Sequence, residues 1–234
     1  QVGVRPRPNA VKKDGKAFNS AHFTKTTGLR HASIPDGIVA IRKLGNEHNF
    51  GVEATEDSTF FTKENLTKFD AVVFLSTTMN VLGEKEQTAF ENYIKTGGGD
   101  VGIHAASDTE YDWPWYGKLV GGYFKSHPKQ QNATIRVKNK QHPSTKHLPN
   151  DWICFDEWYN YKNLNADVQV LCQLDETTYE GGENGSNHPI AWFHYYQGGR
   201  AFYTGRGHTS ESYSEPLFLQ HILGGIMWAA GKEK

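Results

Sequence analysis

The residues of this sequence best suited to chemistry gather in the stretch GIHAASDTEYDWPWYG, residues 102–117. It follows an apolar segment and contains His104, three carboxylates and four aromatic side chains within sixteen residues. At neutral pH an imidazole can accept a proton, donate one or bind a metal ion. A stable core alone has little use for this mixture, so the stretch indicates a functional site headed by His104.

Other histidines also stand beside glycine, arginine or proline at the ends of apolar runs, among them His31, His127 and His208. The carboxyl ends of parallel strands meet at one edge of a sheet. We therefore expect His31, His104 and His208 to share a pocket, which His127 also lines. The alternative is that several of them are structural histidines bonded to the backbone.

Carboxylates accompany these histidines. Asp108 follows His104 closely, and Glu157 lies in DEWYNY. A carboxylate beside an imidazole fixes its tautomer or serves as a second acid or base. We predict His104, His208, Asp108 and Glu157 as the catalytic group. A divalent metal is the open alternative, with His31, His104 and His208 as candidate ligands. No HExxH spacing supports it, and the sequence leaves the cofactor undecided.

Aromatic residues flank the same polar groups. A sugar stacks its C–H face on an aromatic ring while its hydroxyl groups bind carboxylates and amides. This predicts a carbohydrate ligand, although half of these rings could instead fill the core. The predicted substrate contacts are His31, Trp113, Tyr116, His127, Trp158 and Tyr159.

Composition narrows the class of protein. The 234 residues carry a net charge of −1 with no clustered basic run, which disfavours a nucleic-acid partner. No apolar segment is long enough to span a bilayer. GxSxG, GxGxxG and P-loop motifs are absent. Cys154 and Cys172 lie in strand-like runs, and their spacing leaves open whether they are bridged.

The order of elements predicts an α/β domain over residues 20–234, preceded by a flexible segment at 1–19. Strand-like runs alternate with helical ones, which favours a parallel sheet covered by helices on both faces. The strands are expected in AHFTKT, FGVEAT, DAVVFLST and DVGIHA, and the helices in SIPDGIVAIRKLGNEHN, TKENL and GEKEQTAFENYIKTGGG. Three later runs alternate apolar and polar residues, as antiparallel additions do: NATIRVKN, WICFDEWYNY and DVQVLCQLDE. A hairpin through Gly198–Gly199 and a final helix from Ser214 complete the domain.

From about residue 20 to 231 the chain resembles the trehalose-utilisation (ThuA-like) family of the class I glutamine-amidotransferase-like superfamily. Long runs match in order, including TGLRHASIPDGI, GGGDVGIHAASDTEYDWPWYGKLVGGYFKSHP, DEWYNY, NHPIAW and GGRAFYTGRGHTSESY. The resemblance implies a flavodoxin-like, doubly wound fold. It also implies a role in carbohydrate breakdown and export to the periplasm or beyond the cell of a bacterium.

One position departs from the superfamily pattern. Its amidotransferases have a nucleophilic cysteine where this chain has His104, and His208 resembles their later histidine. Without a thiolate there is no acyl-enzyme route, so glutamine hydrolysis is not expected. We predict an enzyme that acts on a sugar or an oxidised (keto) glycoside by histidine–carboxylate acid–base chemistry or with the help of a metal ion. The alternative is a non-catalytic carbohydrate-binding or interaction domain. The sequence leaves open whether the chain forms a homo-oligomer.

Overall fold

Five parallel strands form the centre of a nine-stranded sheet in the computed structural model, which describes residues 17–232. Their spatial order is β2–β1–β3–β4–β11, the order of a flavodoxin-like doubly wound sheet. The expected fold class is confirmed. These strands are β1 (Phe18–Phe23), β2 (Phe50–Thr55), β3 (Ala71–Leu75), β4 (Gly99–Ile103) and β11 (Gly199–Thr204).

Four antiparallel strands extend this sheet beyond β11 in the order β10–β9–β6–β7. The hairpin between β10 and β11 turns at Gly198, as predicted. A separate two-stranded sheet pairs β5 with β8. The added strands are β5 (Tyr123–Ser126), β6 (Gln131–Val137), β7 (Asp151–Asp156), β8 (Asn160–Lys162), β9 (Gln169–Asp175) and β10 (Pro189–Tyr196).

Helices cover both faces of the sheet. Neighbouring strand residues point to opposite faces, and on β3 Phe74 packs on Phe90 and Tyr116 while Leu75 lies against Gly37. The helices α3 and α4 therefore cover one face, and α1, which contacts α5, covers the other. The helices are α1 (Ile34–His48), α2 (Lys63–Leu66), α3 (Glu84–Lys95), α4 (Pro114–Val120) and α5 (Pro216–Ala229).

The amino-terminal boundary of the sheet lies slightly earlier than expected. Phe18 and Asn19 are buried in β1, although they fall in the segment predicted to be flexible. The rest of that prediction, residues 1–16, lies outside the described residues. Within the described ones, no helix has both the length and the apolar character needed to cross a membrane.

The two cysteines are free and buried. Cys154 lies on β7 and Cys172 on β9, with β6 between these strands. Strands two places apart are separated by about 10 Å, which is beyond the reach of a disulfide. The order of the strands therefore shows that Cys154 and Cys172 are not bridged, which the sequence left open.

Candidate functional site: a histidine–glutamate cluster

Three histidines and one glutamate meet at the carboxyl edge of the sheet. We call His31, His104, Glu157 and His208 the histidine–glutamate cluster; each offers a ligand atom, and these atoms all lie within 4.8 Å of one another. The residues follow β1, β4, β7 and β11, four strands that run in the same direction. The shared direction brings side chains that are far apart in sequence to one place.

His104 has an unusual backbone and a fixed ring. It follows β4 directly with a φ of 50°, in the left-handed region that side chains other than glycine disfavour. Pairing of Ile103 with Thr204 sets the next residues side by side, and His104 Nδ1 lies 2.8 Å from the Gly205 carbonyl oxygen. A carbonyl can only accept, so Nδ1 carries the proton. In the neutral ring Nε2 would then carry the lone pair, and in the doubly protonated ring Nε2 would carry a proton that faces Glu157.

Glu157 stands at the centre of the cluster. Its Oε1 lies 3.5 Å from His104 Nε2 and 3.2 Å from His208 Nδ1. Its Oε2 lies 3.6 Å from His127 Nδ1. Burial alone would raise the pKa of Glu157, but hydrogen bonds and charge interactions with His104 and His208 outweigh it and lower the pKa. The carboxylate therefore stays ionised at neutral pH.

His31 is buried and is the cluster member with the fewest hydrogen bonds. Only 4% of its surface is exposed, and neither of its ring nitrogens has a hydrogen-bonding partner among residues 17–232. Burial, and then the neighbouring His104 and His208, lower the pKa of His31 to about 3. Its imidazole is therefore neutral at physiological pH and has a free lone pair.

The cluster opens to solvent on the side of His208. The His208 side chain is 18% exposed, and the neighbouring His127 side chain is 44% exposed. His208 Nδ1 faces His104 Nε2 at 3.3 Å, while His208 Nε2 lies 3.0 Å from the exposed Gln130 side-chain amide. Gln130 is a site residue that sequence reasoning missed, because nothing in its polar surroundings distinguishes it.

Asp108, predicted as a catalytic carboxylate, lies beside the cluster rather than in it. It is half-buried, and the Tyr111 hydroxyl donates a hydrogen bond to it. Burial raises the pKa of Asp108, while Tyr111 and the nearby His104 and His127 oppose that effect. Asp108 could therefore transfer protons only at the edge of the cluster, beside the exposed His127.

The aromatic residues divide into one that touches the cluster and three that do not. Tyr159 packs on the His104 ring with centroids 4.0 Å apart, and it is only 2% exposed. The Tyr159 ring therefore helps to hold the His104 imidazole in its orientation. The other three predicted sugar contacts are corrected, because Trp113, Tyr116 and Trp158 are buried in the hydrophobic core.

The polar atoms of these three side chains are used inside the protein. Trp113 Nε1 donates to the Glu91 side chain, Tyr116 Oη donates to the Ala106 carbonyl, and Trp158 Nε1 donates to the Gln131 carbonyl. Trp113 also stacks on Trp115 and on Tyr116. No face of these rings is left for a sugar.

The sheet order and the polar cluster at its carboxyl edge define a flavodoxin-like α/β protein with a ligand site at the place where such folds carry one. The chain belongs to the ThuA family, described as trehalose utilisation, whose family model matches residues 21–229. Membership indicates a carbohydrate-related role. A comparison with curated proteins gives no match.

Solved structures with the same fold include two ThuA-like proteins. One, from Bacteroides uniformis, has a TM-score of 0.78 and 26% identity, covering 96% of each chain. The other, from Parabacteroides merdae, has a TM-score of 0.77 and 22% identity, covering 94% of this chain and 92% of that one. A β-galactosidase from Bacillus circulans matches more distantly, with a TM-score of 0.59 and 12% identity over 92% of this chain and 31% of its own. The last two likenesses show the fold alone.

Proposed function

We propose that this chain is a carbohydrate-processing enzyme whose reaction takes place at the histidine–glutamate cluster. The observation that carries the proposal is the convergence of His31, His104, Glu157 and His208 from four strand ends. In a purely structural cluster each buried side chain would have a hydrogen-bonding partner, whereas the His31 ring nitrogens have none among the described residues. Such a set of groups at an accessible edge is typical of a reaction centre.

The substrate class that we propose is a sugar or an oxidised (keto) glycoside. A ketone acidifies the C–H bond beside it, and a group that is neutral or anionic near pH 7 can remove that proton. Glu157 is ionised and His208 is the cluster member nearest solvent, so these two groups are placed to exchange protons with a bound sugar. The family of the chain supports a carbohydrate as the substrate.

Two chemistries are open to the same residues. In the first, Glu157 accepts the proton from carbon while His208 donates one to the carbonyl oxygen, which yields an enediol. In the second, a bound metal ion polarises that oxygen, and the rim residues His127 and Asp108 are left to transfer protons. Neither route is that of a glutamine amidotransferase, because the residue at the expected nucleophile position is His104.

The test is a turnover screen of sugars and their keto derivatives, followed by His104→Ala and His208→Ala. We expect each variant to lose at least about a hundredfold in kcat/KM. His194→Gln is the matched control, since His194 is also buried but its ring bonds the Leu119 carbonyl. Unchanged turnover in both cluster variants would show that the reaction takes place elsewhere.

Calorimetry separates this proposal from a carbohydrate-binding module without chemistry. Sugar binding that survives His104→Ala, with no product formed during long incubation, would favour the module. Export from the cell and self-association of the chain, both considered from the sequence, stay predictions.

A further inference from the structure

We propose that the histidine–glutamate cluster binds one divalent transition-metal ion of the zinc class, with His31, His104, His208 and Glu157 as its ligands. The inference deepens the proposed function by choosing between its two chemistries, and it rests on the same cluster. It does not depend on the identity of the sugar.

The spacing of the ligand atoms suits a single ion. In a tetrahedral zinc site with bonds of about 2.0–2.1 Å, neighbouring ligand atoms lie about 3.3–3.4 Å apart. Here His104 Nε2 lies 3.3 Å from His208 Nδ1, and Glu157 Oε1 lies 3.2 Å from His208 Nδ1 and 3.5 Å from His104 Nε2. These three atoms therefore form one face of a tetrahedron of the right size.

The rings of the three histidines complete the arrangement. Their centroids form a nearly equilateral triangle, with sides of 5.2 Å for His31–His104, 4.9 Å for His31–His208 and 5.2 Å for His104–His208. The rings meet at steep angles of 88°, 83° and 68°. Edge-to-face pairs are ordinary in aromatic packing, but here each of the three rings also has a ligand nitrogen within 4.8 Å of the other ligand atoms of the cluster.

His31 gives an independent reason for an ion. A buried imidazole with two unpartnered nitrogens forfeits hydrogen bonds that water would supply, which costs on the order of a few kcal/mol. An acid–base pair between His208 and Glu157 would explain their short separation but would leave His31 unsatisfied. Coordination by a metal ion would account for the short separation and would also give one of the two His31 nitrogens a partner.

The surroundings of the cluster orient the ligands as metal sites do. A metal-bound histidine usually donates its other ring N–H to a carbonyl or carboxylate. His104 Nδ1 does so to the Gly205 carbonyl oxygen, which leaves Nε2 for the ion. The backbone N–H of His208 is in turn held by Asp156 at 3.1 Å.

The donor set selects the class of metal. Imidazole nitrogens suit zinc and its neighbours in the first transition row, whereas magnesium and calcium prefer sites made of oxygen atoms. As metal ligands, three imidazoles in their neutral form and one carboxylate would give the site a charge of −1, and a divalent cation would convert it to +1. Such an ion would supply a Lewis acid for a sugar carbonyl or hydroxyl oxygen arriving from the open side at His208, and this oxygen would bind as a fifth ligand beside the four protein ligands.

The experiment measures metal binding without any sugar. Tag-free protein is stripped with a chelator, loaded with Zn²⁺ and analysed for metal content, and Co²⁺ is used as a spectroscopic probe. We expect one ion per chain, a raised Tm, and visible Co²⁺ absorption of the intensity that four-coordinate sites give. His31→Ala and Glu157→Gln should each weaken Zn²⁺ binding roughly tenfold or more.

The control is Glu176→Gln, which removes the carboxylate of another histidine–glutamate pair outside the cluster. In this pair the buried His188 Nδ1 lies 2.7 Å from Oε2 of the partly exposed Glu176. It should leave Zn²⁺ binding unchanged. Circular dichroism checks that each variant is folded, and the isosteric Glu157→Gln variant serves if His31→Ala fails to fold. Zn²⁺ binding that neither cluster variant weakens, or no stoichiometric Zn²⁺ binding by the folded protein, would overturn the inference.

The outcomes also separate this inference from the proposed function. Cluster-dependent Zn²⁺ binding by a protein that turns over no sugar supports the metal site and contradicts the enzyme. Full turnover by stripped protein that binds no Zn²⁺ supports the enzyme and overturns the metal site.

Discussion

The Asp156 carboxylate forms a buried ion pair with Arg206, with Oδ2 3.0 Å from the guanidinium Nε, and the same carboxylate holds the loop that carries His208. Its two oxygens accept the backbone N–H groups of Gly207 at 3.0 Å and His208 at 3.1 Å. Asp156 also directly precedes Glu157. One buried carboxylate therefore connects the end of β7 to the loop after β11 and sets the distance between Glu157 and His208.

We expect Asp156→Asn to lower both stability and activity. The substitution leaves the buried Arg206 with only the partly exposed Glu215 as a counter-charge, so the free energy of unfolding should fall by about 3 kcal/mol. Urea unfolding measures the loss. The comparison is Asp175→Asn, whose partner Arg136 lies at the surface, where ion pairs contribute little. Equal losses in the two variants would contradict the larger contribution of the buried ion pair, and unchanged sugar turnover in folded Asp156→Asn would contradict the positioning role of Asp156.

The left-handed backbone of His104 predicts an unusual order of stability among its variants. Both His104→Ala and His104→Gly remove the imidazole, and both should be inactive. Only glycine adopts a φ of 50° without strain, so His104→Gly should be more stable than His104→Ala by about 1 kcal/mol. For a chain of this size that difference raises Tm by about 2–4 °C.

The control for this comparison lies one residue further along. Ala105 belongs to the same short 3-10 turn and is not among the residues with a positive φ. Ala105→Gly should therefore lower Tm, since glycine adds chain entropy to the unfolded state without relieving any strain. If glycine is destabilising at both positions, the backbone at His104 is not strained in solution.

The sequence was sufficient to predict the parallel core and the meeting of the three histidines. Each apolar run is a local signal, and parallel strands share a carboxyl edge whatever their detailed register. His31, His104 and His208 therefore converge once the sheet is parallel. The sequence does not predict how close Glu157 lies to these histidines. The position of β7, which Glu157 follows, depends on the order in which four antiparallel strands pair. That order depends on long-range pairing, which local patterns do not encode.

The prediction that Trp113 and Tyr116 contact a sugar failed for a local reason. Pro114 begins the helix α4, and helical geometry turns Tyr116 toward the core, where it packs on Phe74. Trp113 and Tyr116 are therefore buried and have no exposed face for a sugar. The fixed φ of proline, which suits the first turn of a helix, was the signal that could have corrected this.

Trp113 and Tyr159 should therefore give opposite results when mutated. Trp113→Phe removes the indole bond to Glu91 in the core and should lower stability while leaving kcat and KM for a sugar unchanged. Tyr159→Leu removes the ring that supports His104 and should lower kcat with little effect on KM. Steady-state kinetics beside thermal unfolding separates the two. A raised KM in Trp113→Phe would restore this residue as a sugar contact.

A buried histidine outside the cluster predicts how stability depends on pH. His221 is fully buried between the Ser144 carbonyl and the Thr204 hydroxyl, and burial lowers the pKa of His221 to about 3. Between pH 6.5 and about 3 the unfolded chain binds a proton that the folded chain rejects, so stability falls as pH falls. From pH 7 to pH 5 this one group costs on the order of 2 kcal/mol.

Urea unfolding of His221→Gln at pH 7 and pH 5 measures this contribution. The variant is expected to be less stable at pH 7, because its hydrogen bonds are disturbed, but to lose about 2 kcal/mol less than the original chain on acidification. Phe218→Leu is the control, since Phe218 packs near His221 in the core and does not titrate. It should lower stability equally at both pH values. A pH dependence unchanged by His221→Gln would show that His221 already carries its proton in the folded protein at pH 5.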